Sequence, residues 1–245
     1  MVLDKPLNRY IDHTLLSPMA MDIAFEDFLE HAVKFDFYSV CVSPYIALPV
    51  VKAMAPYASI KVGTVVAFPH GNIPLELKLN EAEYFINGGI NELDWVLHYG
   101  EVLNENWSNV VAEMTSMARL CHQAGIVCKC IVESTELNSR RMLENLFRAI
   151  QDAGVDFIKT CTGFGSGGGA KIEHIQLWNS LRGGSPTPYI KASGGIKTAE
   201  RALAMIEAGA DRLGTSHSVE VMDQYNALIQ SPSTGGESTP TEIPA

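Results

Sequence analysis

Short β-type runs and longer amphipathic stretches alternate along almost the whole chain. The β-type runs are Arg9–His13, Tyr38–Val42, Ile60–Phe68, Glu92–Leu97, Ile126–Glu133, Val155–Thr160, Pro188–Ala192 and Arg212–Gly214. The stretches between them predict helices near Ile23–Phe35, Ile46–Met54, Leu75–Asn87, Ser108–Ala124, Asn138–Ala153, Ile172–Leu181, Thr198–Ala208 and Val219–Leu228. Ser108–Ala124 shows the helical period well, with Val111, Met114, Ala118 and Cys121 at steps of three and four. Several helices end in a breaker directly before the next strand, as at Ala124-Gly125, Ala153-Gly154 and Ala208-Gly209.

Eight βα units in 245 residues match the count and size of a (β/α)8 TIM barrel, expected here as a single domain over residues 1–230. A doubly wound open sheet competes, because alternation alone does not close a barrel. The last fifteen residues, SPSTGGESTPTEIPA, hold little to bury and are expected to form a disordered tail over 231–245.

Strand parity then directs the charges. Asp94 shares a face with Val96, Lys159 with Val155 and Phe157, and Lys191 with Tyr189. A charge beneath the helices would sit in a dry apolar layer, costing several kcal/mol unless paired. Asp94, Lys159 and Lys191 are therefore expected to point inward, toward the C-terminal mouth where such barrels place their chemistry. Lys129, Glu133 and Asp12 also lie on or at the ends of strands and are candidate supporting partners.

Each lysine precedes a glycine loop. Lys159 is followed by Thr162-Gly163-Phe164-Gly165, Lys191 by Ser193-Gly194-Gly195, and the last strand by Gly214-Thr215-Ser216. Glycine lets backbone approach a ligand closely, and a helix start offers N–H groups to an anion. Three such loops in succession favour a phosphate site. Gly163, Gly165 and Gly168 formally match a dinucleotide fingerprint, but the match falls late in the chain and lacks the acidic ribose partner.

Composition narrows the setting. A formal charge of −10 argues against a general nucleic-acid or anionic-membrane binder. The odd count of five cysteines, without zinc spacing, suggests free thiols in a reducing, cytoplasmic compartment. The N-terminus MVLDKPLNRYID lacks the features of a signal peptide, and no apolar run approaches the ~20 residues needed to span a bilayer. The seven histidines show no paired ligand spacing.

The segments IDHTLL (Ile11–Leu16), NELDWV (Asn91–Val96), FIKTCTGFGSGG (Phe157–Gly168), IKASGGIKT (Ile190–Thr198) and GTS (Gly214–Ser216) resemble the deoxyribose-phosphate aldolase family, in that family's order. The resemblance implies a barrel aldolase of class I, needing neither metal nor cofactor. It implies reversible cleavage of 2-deoxy-D-ribose 5-phosphate to glyceraldehyde 3-phosphate and acetaldehyde, a step in deoxyribose phosphate catabolism. By position it makes Lys159 the Schiff-base lysine, Lys191 the second active-site lysine and Asp94 the acid/base carboxylate. Asp12 and Cys41 fall on the substrate pocket, and Gly163, Gly194, Gly195, Gly214 and Ser216 on the phosphate loops. The chain departs from the family at Cys161, which interrupts a hydroxyl run, and at His217, where some members carry a second serine. The expected partner is the phosphorylated sugar, with a homodimer as the simplest assembly.

The physical logic agrees. At pH 7 only about one free lysine in 2,500 is a neutral nucleophile, and burial or a nearby cation raises that share. Lys191 beside Lys159 is expected to be that cation. A phosphosugar isomerase on the same barrel needs no inward amine. A non-catalytic pyridoxal-phosphate carrier needs neither a second lysine nor Asp94.

Overall fold

The computed structural model describes residues 3–20, 22–137 and 139–230. Strands β1 (Ile11–Leu15), β2 (Ser39–Val42), β3 (Lys61–Val66), β4 (Glu92–Val96), β5 (Val127–Ile131), β6 (Phe157–Lys159), β7 (Tyr189–Ser193) and β8 (Arg212–Thr215) pair in parallel and in sequence order. The pairs Ile11–Leu213, Asp12–Gly214 and His13–Thr215 join β8 to β1. That closure excludes the open sheet; the fold is a (β/α)8 barrel.

Around it lie α1 (Asp22–Phe35), α2 (Ala47–Met54), α3 (Leu75–Asn87), α4 (Tyr99–Leu103), α5 (Trp107–Gln123), α6 (Arg140–Ala153), α7 (Ile172–Arg182), α8 (Ala199–Glu207) and α9 (Ser218–Gln230). None of the described helices is long and apolar enough to cross a membrane. The tail expected at 231–245 lies outside the described residues.

The strand interiors follow the parity reading. Leu93 and Trp95 of β4, Ile158 of β6 and Ile190 of β7 join one apolar cluster with Met114, Phe147 and Trp178 of the surrounding helices. Truncating an aromatic such as Phe147 in this layer would cost roughly 3–5 kcal/mol. Gly154, with φ 72°, takes the left-handed position that ends α6 and turns the chain toward β6.

Three details differ from expectation. The first strand was expected over Arg9–His13, but Leu7–Tyr10 forms a 3-10 turn and β1 begins at Ile11. Arg9 causes the offset: its guanidinium donates to the carbonyls of Asp36, Phe37 and Ser59, which holds residue 9 at the barrel's lower rim. Helix α4 is new, being too short to show a period; His98 caps it by accepting from the Glu101 N–H. A charge also sits beneath the helices after all. Lys78 of α3 is fully buried, donating to the Val96 carbonyl at 2.8 Å and pairing with Glu113 of α5. Its partner is what makes the position tolerable.

Candidate active site

The inward faces of six strands meet on the barrel axis as a network of charge. Asp94 of β4 is fully buried. Its Oδ1 accepts from Lys129 of β5 at 2.8 Å, and its Oδ2 accepts from Lys159 of β6 at 2.6 Å and Lys191 of β7 at 2.7 Å. Lys191 also pairs with Asp12 of β1. Asp12 Oδ1 further accepts from Arg212 of β8 at 2.7 Å and from the Ser39 hydroxyl at 2.6 Å. Glu92 of β4 takes Lys129 at 2.7 Å and faces Arg212 at 3.5 Å.

The charges hold one another. Burial alone would raise the Asp94 carboxyl, but Lys129, Lys159 and Lys191 outweigh it and keep it well below the usual carboxylate range. Asp12 is likewise held down against burial, by Lys191, Arg212 and Lys129. Burial works to lower the Lys129 and Lys191 amines, yet the surrounding carboxylates raise both, so these two stay cationic at neutral pH. The network sets four cations against three anions. One positive charge is in excess, and loss of one ammonium proton would balance it.

Lys159 and Lys191 were expected to act on each other as neighbouring cations. The structure instead puts the Asp94 carboxylate between them, accepting from both. Register supplies the rest of the geometry. Lys129 lies opposite Asp94, whereas Lys159 lies opposite Ile131, two residues nearer the mouth.

At that mouth is a cavity of about 350 Å³. Lys159, 3 % exposed, lies in its wall together with Thr162, Gly163, Gly194, Gly195, Gly214 and Ser216. Asp94, Lys191, Asp12 and Cys41 are not in the wall but buried behind it. Burial, then Asp94, pushes the Cys41 thiol up, so it stays protonated. Lys197 and His217 complete the loop end of the wall, the imidazole Nδ1 lying 3.2 Å from the Ser216 hydroxyl. Phe164, 53 % exposed, stands at the rim with its ring edge-on to Phe68.

Two glycines matter for what they leave out. A Cβ on Gly214 would come within 3.0 Å of Lys191 Cε, so the bare α-carbon makes room for that side chain. A Cβ on Gly169 would strike the Gly194 carbonyl, and the Ala170 N–H donates to that same carbonyl. The loops after β6 and β7 thus lock together backbone to backbone.

Sequence reasoning missed Glu92, Arg212 and the cavity residue Lys197, whereas Thr162 lies in the first of the three expected glycine loops. Glu92 precedes Asp94 by two and Arg212 precedes Gly214 by two, so the same parity rule reaches both. His70 and His98, which lie near strand ends, are not in the cavity wall.

The DeoC/LacD family aldolase pattern matches residues 8–218. The chain belongs to this aldolase family. Among family relatives, the deoxyribose-phosphate aldolase of Thermococcus gammatolerans is 38% identical over 216 residues, covering 88% of this chain and 94% of that protein. The one from Mycoplasmoides pirum is 39% identical over 218 residues, covering 89% and 96%. The solved tetrameric deoxyribose phosphate aldolase of Aeropyrum pernix superposes with a TM-score of 0.81 at 31% identity, over 91% of this chain and 92% of that one. A structure described as "QR15, an Aldolase" gives 0.83 at 33%, over 94% and 100%.

Proposed function

We propose that this aldolase cleaves 2-deoxy-D-ribose 5-phosphate reversibly to glyceraldehyde 3-phosphate and acetaldehyde through a Schiff base on Lys159. The observation that carries the assignment is placement. Of three lysines bonded to one carboxylate, Lys159 lies in the cavity wall, while Lys129 and Lys191 stand behind it.

The geometry supports a sequence of steps. A neutral Lys159 amine adds to the substrate carbonyl, and the carbinolamine loses water to give an iminium. Lys191 remains an ammonium beside Asp94 and donates the proton that the departing hydroxyl needs. Asp94 orients both amines and passes protons between them. The iminium then accepts the electron pair of the breaking C–C bond. At the far end the phosphate rests on the loops of Gly163, Gly194, Gly195, Gly214 and Ser216, where Lys197 adds a positive charge, so that the scissile bond is oriented over Lys159. Asp12 fixes Lys191, and the Cys41 thiol borders the charge network as a neutral group.

The reading extends to a cytoplasmic enzyme whose catalytic unit is residues 1–230. Its assembly is a homo-oligomer with the dimer as its smallest form; the Aeropyrum relative is described as a tetramer. The test is borohydride reduction in the presence of acetaldehyde, followed by peptide mapping. The label is expected on Lys159, and Lys159→Arg abolishes it, because a guanidinium that stays charged cannot attack a carbonyl. A label on Lys191 in the unmodified protein would overturn the assignment.

A further inference from the structure

Six of the buried charges form a closed ring. From Asp94 it runs to Lys129 at 2.8 Å, then to Glu92 at 2.7 Å, to Arg212 at 3.5 Å and to Asp12 at 2.7 Å. It returns through Lys191, which pairs with both Asp12 and Asp94. Cations and anions alternate all the way round, three of each, and all six are buried. Lys129 also faces Asp12 across the ring at 3.9 Å. Lys159 is not a member. It hangs from Asp94 at 2.6 Å and, among the described residues, makes no other ion pair.

The ring is neutral by itself. A protonated Lys159 therefore gives the buried group one unit of positive charge, and a neutral Lys159 gives it none. A dry interior penalises that uncompensated charge. Burial also works against the charges on Lys129, Lys191 and Arg212, but their flanking carboxylates raise all three above their ordinary values. The proton that leaves most readily is then the one on Lys159, the cation with a single, shared partner.

The remaining ionisable groups around Lys159 leave this balance alone. The Cys41 thiol of β2 stays protonated. Lys197 is exposed and His217 half-buried, both on the loop side of the cavity. Glu133, past the end of β5 in a left-handed conformation with φ 45°, forms no ion pair among the described residues. Its Oε2 accepts instead from the Thr162 N–H at 3.1 Å and from the Thr162 hydroxyl.

Two ring members stand far from the chemistry. Glu92 borders a hollow at the opposite, N-terminal end of the barrel, beside Tyr38, Lys61 and Asn91. Arg212 lays its guanidinium over the Tyr38 ring at 3.5 Å and is likewise absent from the cavity wall. We propose that Glu92 and Arg212 set the pH at which Lys159 becomes a nucleophile, by fixing the charge of the ring from which it hangs. They are positioning residues, acting through Asp94 and Asp12, and this role rests on the Schiff-base reading of Lys159.

The two residues carry opposite charges, so removing them should act in opposite directions. Glu92→Gln leaves the ring one positive charge in excess, which favours a neutral Lys159. Arg212→Met leaves it one negative charge in excess, which favours the ammonium. A unit charge ~10 Å away, at an effective dielectric of about 20, displaces a titration by about one pH unit. Each single variant still leaves every remaining ring member one opposite partner, because the chain of pairs is opened at one point only.

The experiment is reductive trapping of acetaldehyde with cyanoborohydride, timed from pH 5 to pH 10. Acetaldehyde brings no ionisable group of its own, and circular dichroism confirms that each variant is folded. The midpoint of the trapping profile is expected to move about one unit acid in Glu92→Gln and about one unit alkaline in Arg212→Met. Arg212→Lys keeps the charge and should return the midpoint to that of the unmodified protein. So should the double variant Glu92→Gln with Arg212→Met, whose ring is neutral again. Midpoints that stay together in both single variants, or move the same way, would overturn the proposal, as would a lower rate at every pH with no displacement. Should one single variant fail to fold, the direction of the other decides; should both fail, the double variant decides, a displaced midpoint overturning the role. Absence of trapping in the unmodified protein would instead overturn the imine reading itself.

Discussion

Replacing Asp94 with asparagine removes one anion from the centre of the charge network and leaves its shape almost unchanged. Four cations would then face two anions, with three amines losing their shared carboxylate and one of its two acceptor oxygens. Removing one partner of a buried ion pair costs roughly 3–5 kcal/mol. At about 2–4 °C per kcal/mol for a chain of this size, the melting temperature should fall by about 6–20 °C at pH 7. The pH dependence is the sharper signature. In the native protein the Lys129 and Lys191 amines are raised above the ordinary 10.5, so their contribution is complete below that pH and is lost only as pH rises beyond it. Without Asp94, burial is less opposed and favours a neutral amine. A folded pKa below the unfolded one destabilises more as pH falls and less as pH rises. The gap between variant and native protein should therefore narrow from pH 7 to pH 10, by up to about 1.4 kcal/mol per pH unit for each amine affected. Thermal or urea unfolding at pH 7, 8.5 and 10 and constant ionic strength measures it. A loss of less than about 2 °C at pH 7, or a gap that widens with pH, would refute the reasoning.

Gly214→Ala should lower kcat on phosphorylated and unphosphorylated deoxyribose alike, because the new methyl group meets Lys191. Gly195→Ala, at φ 71°, should raise KM for the phosphorylated sugar alone; steady-state kinetics on both sugars would expose a reversed pattern. His13 is buried between the rings of Phe28 and Phe37, and burial lowers its pKa to about 3. The folded value lies below the unfolded 6.5, so stability is complete above pH 6.5 and declines below it, by about 1.4 kcal/mol per pH unit at most. His13→Phe should flatten that decline in urea midpoints between pH 6.5 and 4, and an unchanged slope would assign it to another group. Glu113→Leu should cost roughly 3–5 kcal/mol by stranding Lys78, whereas Lys78→Met with Glu113→Leu should recover most of it; equal urea stabilities for the two would contradict the pairing.

Periodicity and parity made the barrel and the inward charges readable, since one residue of slip turns every strand side chain to the opposite face. Asp94, Lys159 and Lys191 all emerge on the axis for that reason. Parity, however, gives direction and not height. Lys159 and Lys191 look equivalent in sequence, each ending a strand before glycines. They are even direct register partners across β6 and β7, and only the contacts of Lys191 with Asp12 and the room left by Gly214 set it behind the cavity wall in which Lys159 lies. Arg9 shows the same limit at the other end of β1, where its bonds to the distant carbonyls of Asp36, Phe37 and Ser59 decided the strand's start. The link from Glu133 to Thr162 was equally hidden, because it joins two loops through a backbone conformation that no local pattern announces.

The axial charges are also sorted along the chain. The anions Asp12, Glu92 and Asp94 come from β1 and β4, and the cations Lys129, Lys159, Lys191 and Arg212 from β5 to β8. Cut between β4 and β5, the barrel would fall into an acidic half and a basic half, each crowding like charges along its inner surface. Neither half could close by pairing with a copy of itself, because duplication would double the repulsion and remove its cure. Only the unlike halves complement each other. The chain is therefore committed to completing the ring as a whole, and separately expressed fragments 1–104 and 105–245 should find each other while each remains unfolded alone.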